Sequence, residues 1–291
     1  MAFLIIFMLL FSLTACSSLK RISIGGKDEG ENINEGPPQD MQSLERDLNE
    51  LVDRVERQAL KTSEDKSQAQ GSSDSTNEKN KAGGSDDSVS RQSDGNNTSK
   101  GGPAEEKTGQ TNGDSNDISD MMSELERNIG TIHKIWNRVQ PELLKKGADR
   151  ADIDAASDAL NRATATMDSK DGLAFLKTIN QFYRYIPDIE ENMHPQTPPG
   201  LMRITYYARN ILYGAFEDDQ KTVSGEMPKI EDEWAAVKPQ LKKGSESQIN
   251  QLEVSIDELQ NSLEEQNKNL IKIKTDIVLD DIKALVEKQK K

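Results

Sequence analysis

The sequence predicts an all-α protein: an antiparallel helical bundle built from two related helical hairpins and preceded by a disordered linker. Three observations predict it. From Ile118 onward, apolar residues recur at alternating steps of four and three, which places them on one face of a helix. No segment alternates apolar and polar residues as a half-buried strand would. One tryptophan-centred pattern also occurs twice, about 98 residues apart.

From the N-terminus, the only long apolar stretch is Ala2 to Ala15, about 14 residues, whereas a membrane-spanning helix needs roughly 20. It ends in Leu13-Thr14-Ala15-Cys16, an aliphatic residue and two smaller ones before a cysteine. This resembles the lipobox of bacterial lipoproteins. The resemblance implies a signal peptide over residues 1–15, cleavage before Cys16 and lipid attachment to the Cys16 thiol. The chain is then expected at the outer face of a cell membrane, held by its lipid. Two acyl chains anchor a protein stably, where one holds it marginally. Cys16 is the sole cysteine, so no intrachain disulfide is possible.

Residues 16–39 form a polar spacer that closes on Pro37-Pro38. In residues 40–61, Leu44, Leu48, Leu51 and Val55 make one apolar stripe between charged residues, the mark of a short amphipathic helix. Such a helix is too short to stand alone. Its stripe serves as a spacer, docks on the domain, or meets a second copy. Residues 62–117 are dominated by Ser, Gly, Asn, Asp, Lys and Gln, with Val89 the only large aliphatic, which is the composition of a disordered linker. A flexible chain of roughly 55 residues reaches about 40 Å root-mean-square, enough to hold a domain off a membrane.

The bundle is expected over residues 118–291. Ile118, Met122, Leu125, Ile129, Ile132, Trp136, Val139 and Leu143 line one long helix, which Lys145-Lys146-Gly147 ends. Ile132, Trp136, Val139, Pro141 and Leu143 recur as Ile230, Trp234, Val237, Pro239 and Leu241, followed by Lys242-Lys243-Gly244 with one residue deleted. In the next helix Ile153, Ala156, Leu160 and Ala163 align with Ile249, Leu252, Ile256 and Leu259. The repeats cover about 118–193 and 216–291, with Pro195 through Gly200 between them; Pro141 and Pro239 are expected to kink or restart the Trp helices at matching points.

Two groups of residues are candidates for ligand binding. Trp136 and Trp234 hold matching positions and would face one another as pocket walls, or else serve as large core side chains. All five tyrosines lie between Tyr183 and Tyr213 with arginines interleaved. Among them Tyr183, Tyr185, Tyr206, Tyr207, Arg203 and Arg209 would suit an anionic or aromatic ligand, or else pack an ordinary hairpin with polar tips at the surface. Only His133 and His194 offer imidazole, and Glu191 with His194 gives a single Glu-x-x-His spacing where a di-metal bundle needs two, so no metal site and no cofactor is expected.

The net charge of −14 repels nucleic acid and anionic lipid surfaces. Hydrophobic residues make up only 33% of the chain, so one modest domain plus a disordered portion fits better than two domains. No nucleophile elbow, phosphate-binding Gly loop, His-Glu-x-x-His or Cys-His pattern is present. The expectation is a non-enzymatic, membrane-anchored binding or adaptor module on a flexible stalk, partnered by an envelope protein or small ligand. The alternatives are an extracytoplasmic carrier of a small molecule or metal, and a structural envelope protein that self-associates.

Overall fold

The leucine stripe before the linker is part of the core. In α1 (Gln39–Gly71), Met41, Leu44, Leu48, Leu51, Val52 and Val55 are each no more than 7% exposed. Burying each such side chain contributes roughly 1.5–3 kcal/mol, so α1 is a docked element. Its apolar face is covered by the chain's own helices and is not offered to a second copy. The structure is a computed structural model that describes the backbone of residues 36–71 and 113–290 and the side chains of 36–60 and 123–290. Cys16 with the expected signal segment, and the expected linker from residue 72 to 112, lie outside the described residues.

Seven more helices follow: α2 (Gly113–Lys145), α3 (Arg150–Thr166), α4 (Gly172–Glu190), α5 (Pro199–Phe216), α6 (Gln220–Val237), α7 (Glu246–Glu264) and α8 (Lys268–Lys290). The described residues contain no strand, and the protein is an all-α bundle. α1 runs to Gly71 and α2 starts at Gly113, so both enter the segment whose composition suggested a linker from residue 62. A helix nucleated on a buried stripe extends at little further cost, one hydrogen bond per residue fixed.

The eight helices of the described residues form two four-helix halves with the same internal packing. α1 packs on α2 and α4, and α3 on α4; likewise α5 packs on α6 and α8, and α7 on α8. The buried positions repeat in register. Met41, Leu44, Leu48, Leu51, Val52 and Val55 of α1 have the spacing of Leu201, Ile204, Ala208, Ile211, Leu212 and Ala215 of α5. Leu125, Ile129, Ile132, Trp136 and Val139 of α2 correspond to Val223, Met227, Ile230, Trp234 and Val237 of α6. Ala156, Ala159, Leu160 and Ala163 of α3 correspond to Leu252, Ser255, Ile256 and Leu259 of α7. Phe175, Ile179, Phe182, Ile186 and Ile189 of α4 correspond to Ile271, Thr275, Val278, Ile282 and Leu285 of α8. The repeated unit is thus larger than the hairpin expected from the tryptophan pattern, because each half begins with an additional helix.

The turns repeat too. Met41 N–H donates to the Pro38 carbonyl at 2.8 Å as α1 starts, and Leu201 N–H donates to Pro198 at 3.0 Å as α5 starts. Gly147 and Gly244 both take positive φ, 96° and 90°, the left-handed conformation that glycine adopts without strain. Asp171 Oδ1 caps α4 by accepting from Leu173 and Ala174 N–H at 3.0 and 3.1 Å, and Asn267 Oδ1 caps α8 from Asn269 and Leu270 at the same distances.

The two repeated prolines do not act alike, contrary to the expected matching kinks. Pro141 lies inside α2, which continues to Lys145, whereas Pro239 follows α6 in a 3-10 turn, Lys238–Gln240. The second half lacks one residue between its proline and the lysines, so its chain turns sooner and tightens.

Candidate functional site

α4 and α5 join the halves through a closed contact. Asn180 Nδ2 donates to the Tyr206 carbonyl at 3.1 Å and to Asn210 Oδ1 at 2.9 Å, and Gln181 Nε2 donates to the Tyr206 hydroxyl at 3.0 Å. In the register of the repeat, α8 is the counterpart of α4, and α1 the counterpart of α5. That second pairing is open. A cleft of about 370 Å³ is lined by α1 and α8, with Tyr183 of α4 and Thr205 and Arg209 of α5 also on its wall. Its volume lies in the range of small-ligand sites, roughly 300–1,000 Å³. A second cavity of about 180 Å³ adjoins it, sharing Gln42, Glu45, Thr197 and Lys290 and adding Glu190.

Arg209 is the charged centre of the cleft. Its side chain is only 3% exposed, with Nη2 donating to Asn49 Oδ1 at 3.1 Å and lying 3.5 Å from Asp53. Nε is 3.9 Å from Glu56 Oε1, beyond hydrogen-bond length, and Nε and Nη1 have no hydrogen-bond acceptor. The guanidinium lies 5.2 Å from the centroid of the Tyr183 ring, a cation–π arrangement inside the protein. The Tyr213 hydroxyl donates to Glu56. Burial pushes the Glu56 carboxyl up, opposed by Arg209 and by the Tyr213 hydrogen bond. Burial likewise raises both phenols, Tyr183 and Tyr213.

At the adjoining cavity two carboxyl groups meet. Glu190 is 2% exposed, and its Oε1 has no hydrogen-bonding partner. Burial and the neighbouring Glu45 push it up to about 9, against the opposing influence of Lys290. Burial also raises Glu45, with Lys290 again opposing. Two carboxylates this close cannot both ionise readily, so at neutral pH the pair retains a proton.

Of the eight sequence candidates, the structure brings Tyr183 and Arg209 to the cleft. The tryptophans do not face one another. Trp136 sits in the core of the first half, edge-on to Phe182 at 5.3 Å with its indole N–H on Ser157 Oγ at 2.8 Å, while Trp234 sits in the core of the second. A residue on the apolar stripe of a bundle helix points into its own half, so equivalent positions occupy equivalent cores. Arg203 is drawn to carboxylates instead: Nε and Nη2 donate to Asp188 Oδ1 at 3.0 and 2.7 Å, and Nη2 donates to Glu191 at 3.0 Å. Tyr206 packs edge-on to Tyr207 at 5.2 Å, and Lys229 lies 5.3 Å from the Tyr207 ring. Tyr185 packs against the first core with Arg184 5.8 Å from its ring. Asn49, Asp53, Glu45 and Glu190 were missed as site residues, since acidic and amide residues in an acidic helical chain read as solvated surface.

His133 Nε2 lies 2.8 Å from Thr164 Oγ1, and burial lowers its pKa. Among the described residues no group of three or more His, Cys, Asp and Glu is placed to hold a metal. No described helix is long and apolar enough to cross a membrane. No protein-family model matches the chain, and comparisons with curated proteins and with solved structures find no significant match.

Proposed function

We propose that the protein is an extracytoplasmic, lipid-anchored and non-enzymatic binding module that takes a small polar ligand in the cleft between its two halves. One observation carries this reading: the contact closed between α4 and α5 is open in its repeat counterpart, α8 and α1, and a buried guanidinium with unused N–H groups lines the opening. A polar group buried without a partner costs about 1–3 kcal/mol, and a ligand acceptor removes that cost on binding. The groups around Arg209 hold one another in place: Asn49 and Asp53 face its Nη2, and Tyr213 holds Glu56. That is the character of a pre-organised binding wall.

The anchor follows from the resemblance at Cys16. Feeding a labelled fatty acid tests it: label should appear on the protein and vanish from a Cys16→Ala variant, and label that persists in the variant rules the anchor out. Binding is tested by thermal shift of the full chain against a library of anions, amines, zwitterions and aromatic metabolites. At least one compound should raise the melting temperature by several degrees, and silence across the library would defeat the reading.

The adaptor alternative draws on one surface. Val254 of α7 and Ile277 of α8, 60% and 42% exposed, line one groove of that helix pair, and Ile273 of α8 is 54% exposed. Substituting Val254 and Ile277 with Ser should leave compound-induced stabilisation intact if the cleft is the binding site.

A further inference from the structure

Two buried ionisable side chains each keep unpartnered polar atoms on adjoining walls. Arg209, 3% exposed, lines the cleft with Nε and Nη1 lacking an acceptor. Glu190, 2% exposed, lines the smaller cavity with Oε1 lacking a partner. The two cavities share Glu45 and Lys290, so they adjoin, and together they are termed the recess. α1 measures the distance between the two groups. Arg209 bonds to Asn49, and Glu190 meets Glu45, one helical turn earlier on the same face. That turn corresponds to roughly 5–6 Å between side chains.

We propose that the recess binds a small zwitterion whose ammonium and carboxylate are about one helical turn apart, with the carboxylate at Arg209 and the ammonium at Glu190 and Glu45. The proposal rests on the cleft being a ligand site and names the chemistry of its ligand. The spacing selects among zwitterions. Two extended residues span at most about 7 Å, so a dipeptide reaches both ends, whereas an α-amino acid carries its charges on one carbon and does not. Charge complementarity agrees at each end. The anion meets the unpartnered Nε and Nη1, since Asp53 lies on the Nη2 side at 3.5 Å and Glu56 is engaged by Tyr213. The ammonium meets a carboxyl pair, with only the exposed Lys290 to displace. The acidic protein as a whole favours approach of the cationic end.

Ligand binding also moves a proton. Glu45 from α1 and Lys290 from α8 are the titratable groups whose charge bears on Glu190, and burial keeps the Tyr183 phenol, on the same helix as Glu190, neutral. An ammonium arriving at the pair replaces the shared proton as the counter-charge, so one proton leaves as the ligand binds. Its destination is bulk buffer.

Calorimetric titration of the full chain at pH 7 with glycylglycine, acetylglycylglycine and glycylglycinamide tests the proposal. Acetylglycylglycine removes the cationic end and glycylglycinamide the anionic end. Glycylglycine should bind at least tenfold more tightly than either, and the heat should vary with the ionisation enthalpy of the buffer in the sense of proton release. In Glu190→Gln proton release should stop and the advantage of glycylglycine over acetylglycylglycine should shrink, Glu45 alone remaining for the ammonium, with folding checked by a melting temperature no lower than that of the native chain. If a blocked analogue binds as well as glycylglycine, or the Gln variant keeps the preference in full, the zwitterion assignment is wrong. The same holds if none of the three binds while another library compound stabilises the chain, and the cleft then remains a ligand site of different chemistry. Silence from the dipeptides and the whole library together would remove both readings.

Discussion

Arg209 and Tyr183 form a buried cation–π pair across the α4–α5 contact, 5.2 Å from guanidinium carbon to ring centroid. The pair fixes the guanidinium where α1 brings Asn49 and Asp53. Arg209→Met leaves Glu56 buried without its cation, and removing one member of a buried ion pair costs about 3–5 kcal/mol. The loss should shrink as pH falls, because Glu56, already raised by burial, is protonated more readily once the guanidinium no longer opposes it. Urea unfolding at pH 7 and pH 5 measures both values, and equal losses at the two pH values would contradict this account of Glu56.

Glu190 makes stability fall as pH rises. Its folded-state value, about 9, stands above the ordinary 4.5 of the unfolded chain, so between those limits the folded protein holds a proton that the unfolded chain has released. The contribution is full below about pH 4.5 and is lost progressively as pH climbs to about 9, with a slope of at most about 1.4 kcal/mol per pH unit. Asp40, Asp219 and Glu246 are lowered by hydrogen bonds and act in the opposite sense, but only at acid pH, below that window. Glu190→Gln should reduce the fall in stability between pH 5 and 9, leaving the share of Glu45 and Glu56, which burial also raises, and an unchanged slope would mean the carboxyl pair does not share a proton.

α1 belongs to the core, and Leu48, at 0% exposure, measures its contribution. Leu48→Ala should cost 2–5 kcal/mol, the range for a buried leucine that leaves a partly relaxed cavity. A change below about 0.5 kcal/mol would instead make α1 an undocked spacer.

Arg203 separates scaffold from site. It binds Asp188 and Glu191 and lies 3.9 Å from Glu233, so it ties α5 to α4 and α6 away from the cleft. Arg203→Ala should lower stability by about 1 kcal/mol, reduced by the partial exposure of its partners. It should leave the response to cleft-binding compounds unchanged. A lost response with retained fold would move the site toward Arg203.

Sequence periodicity was sufficient for the helical class because the stripes of α2, α3, α6 and α7 keep their spacing, and those of α2 and α6 stay apolar throughout. It was not sufficient for the full repeat. In α4 and α8 the buried positions agree, but the residues diverge, Phe175 against Ile271 and Ile179 against Thr275. α1 and α5 share six buried positions, yet the long polar segment after α1 separates it in sequence from its half, and Leu48 meets an alanine, Ala208. The site was legible only in part. Tyr183 and Arg209 stood out as aromatic and cationic residues in an acidic chain. Glu190 and Glu45 did not, because a glutamate's burial depends on which helix comes to lie beside it, and that is a property of tertiary packing.

The most direct test of the cleft is hydrogen exchange on the full chain with and without the compound that stabilises it most. Bound ligand should slow exchange in α1 between residues 39 and 60, in α5 around Thr205 and Arg209, and in the second half of α8, while α3 stays unchanged. Slowing confined to the groove of α7 and α8 around Val254 and Ile277, with α1 unaffected, would contradict a ligand site between the two halves.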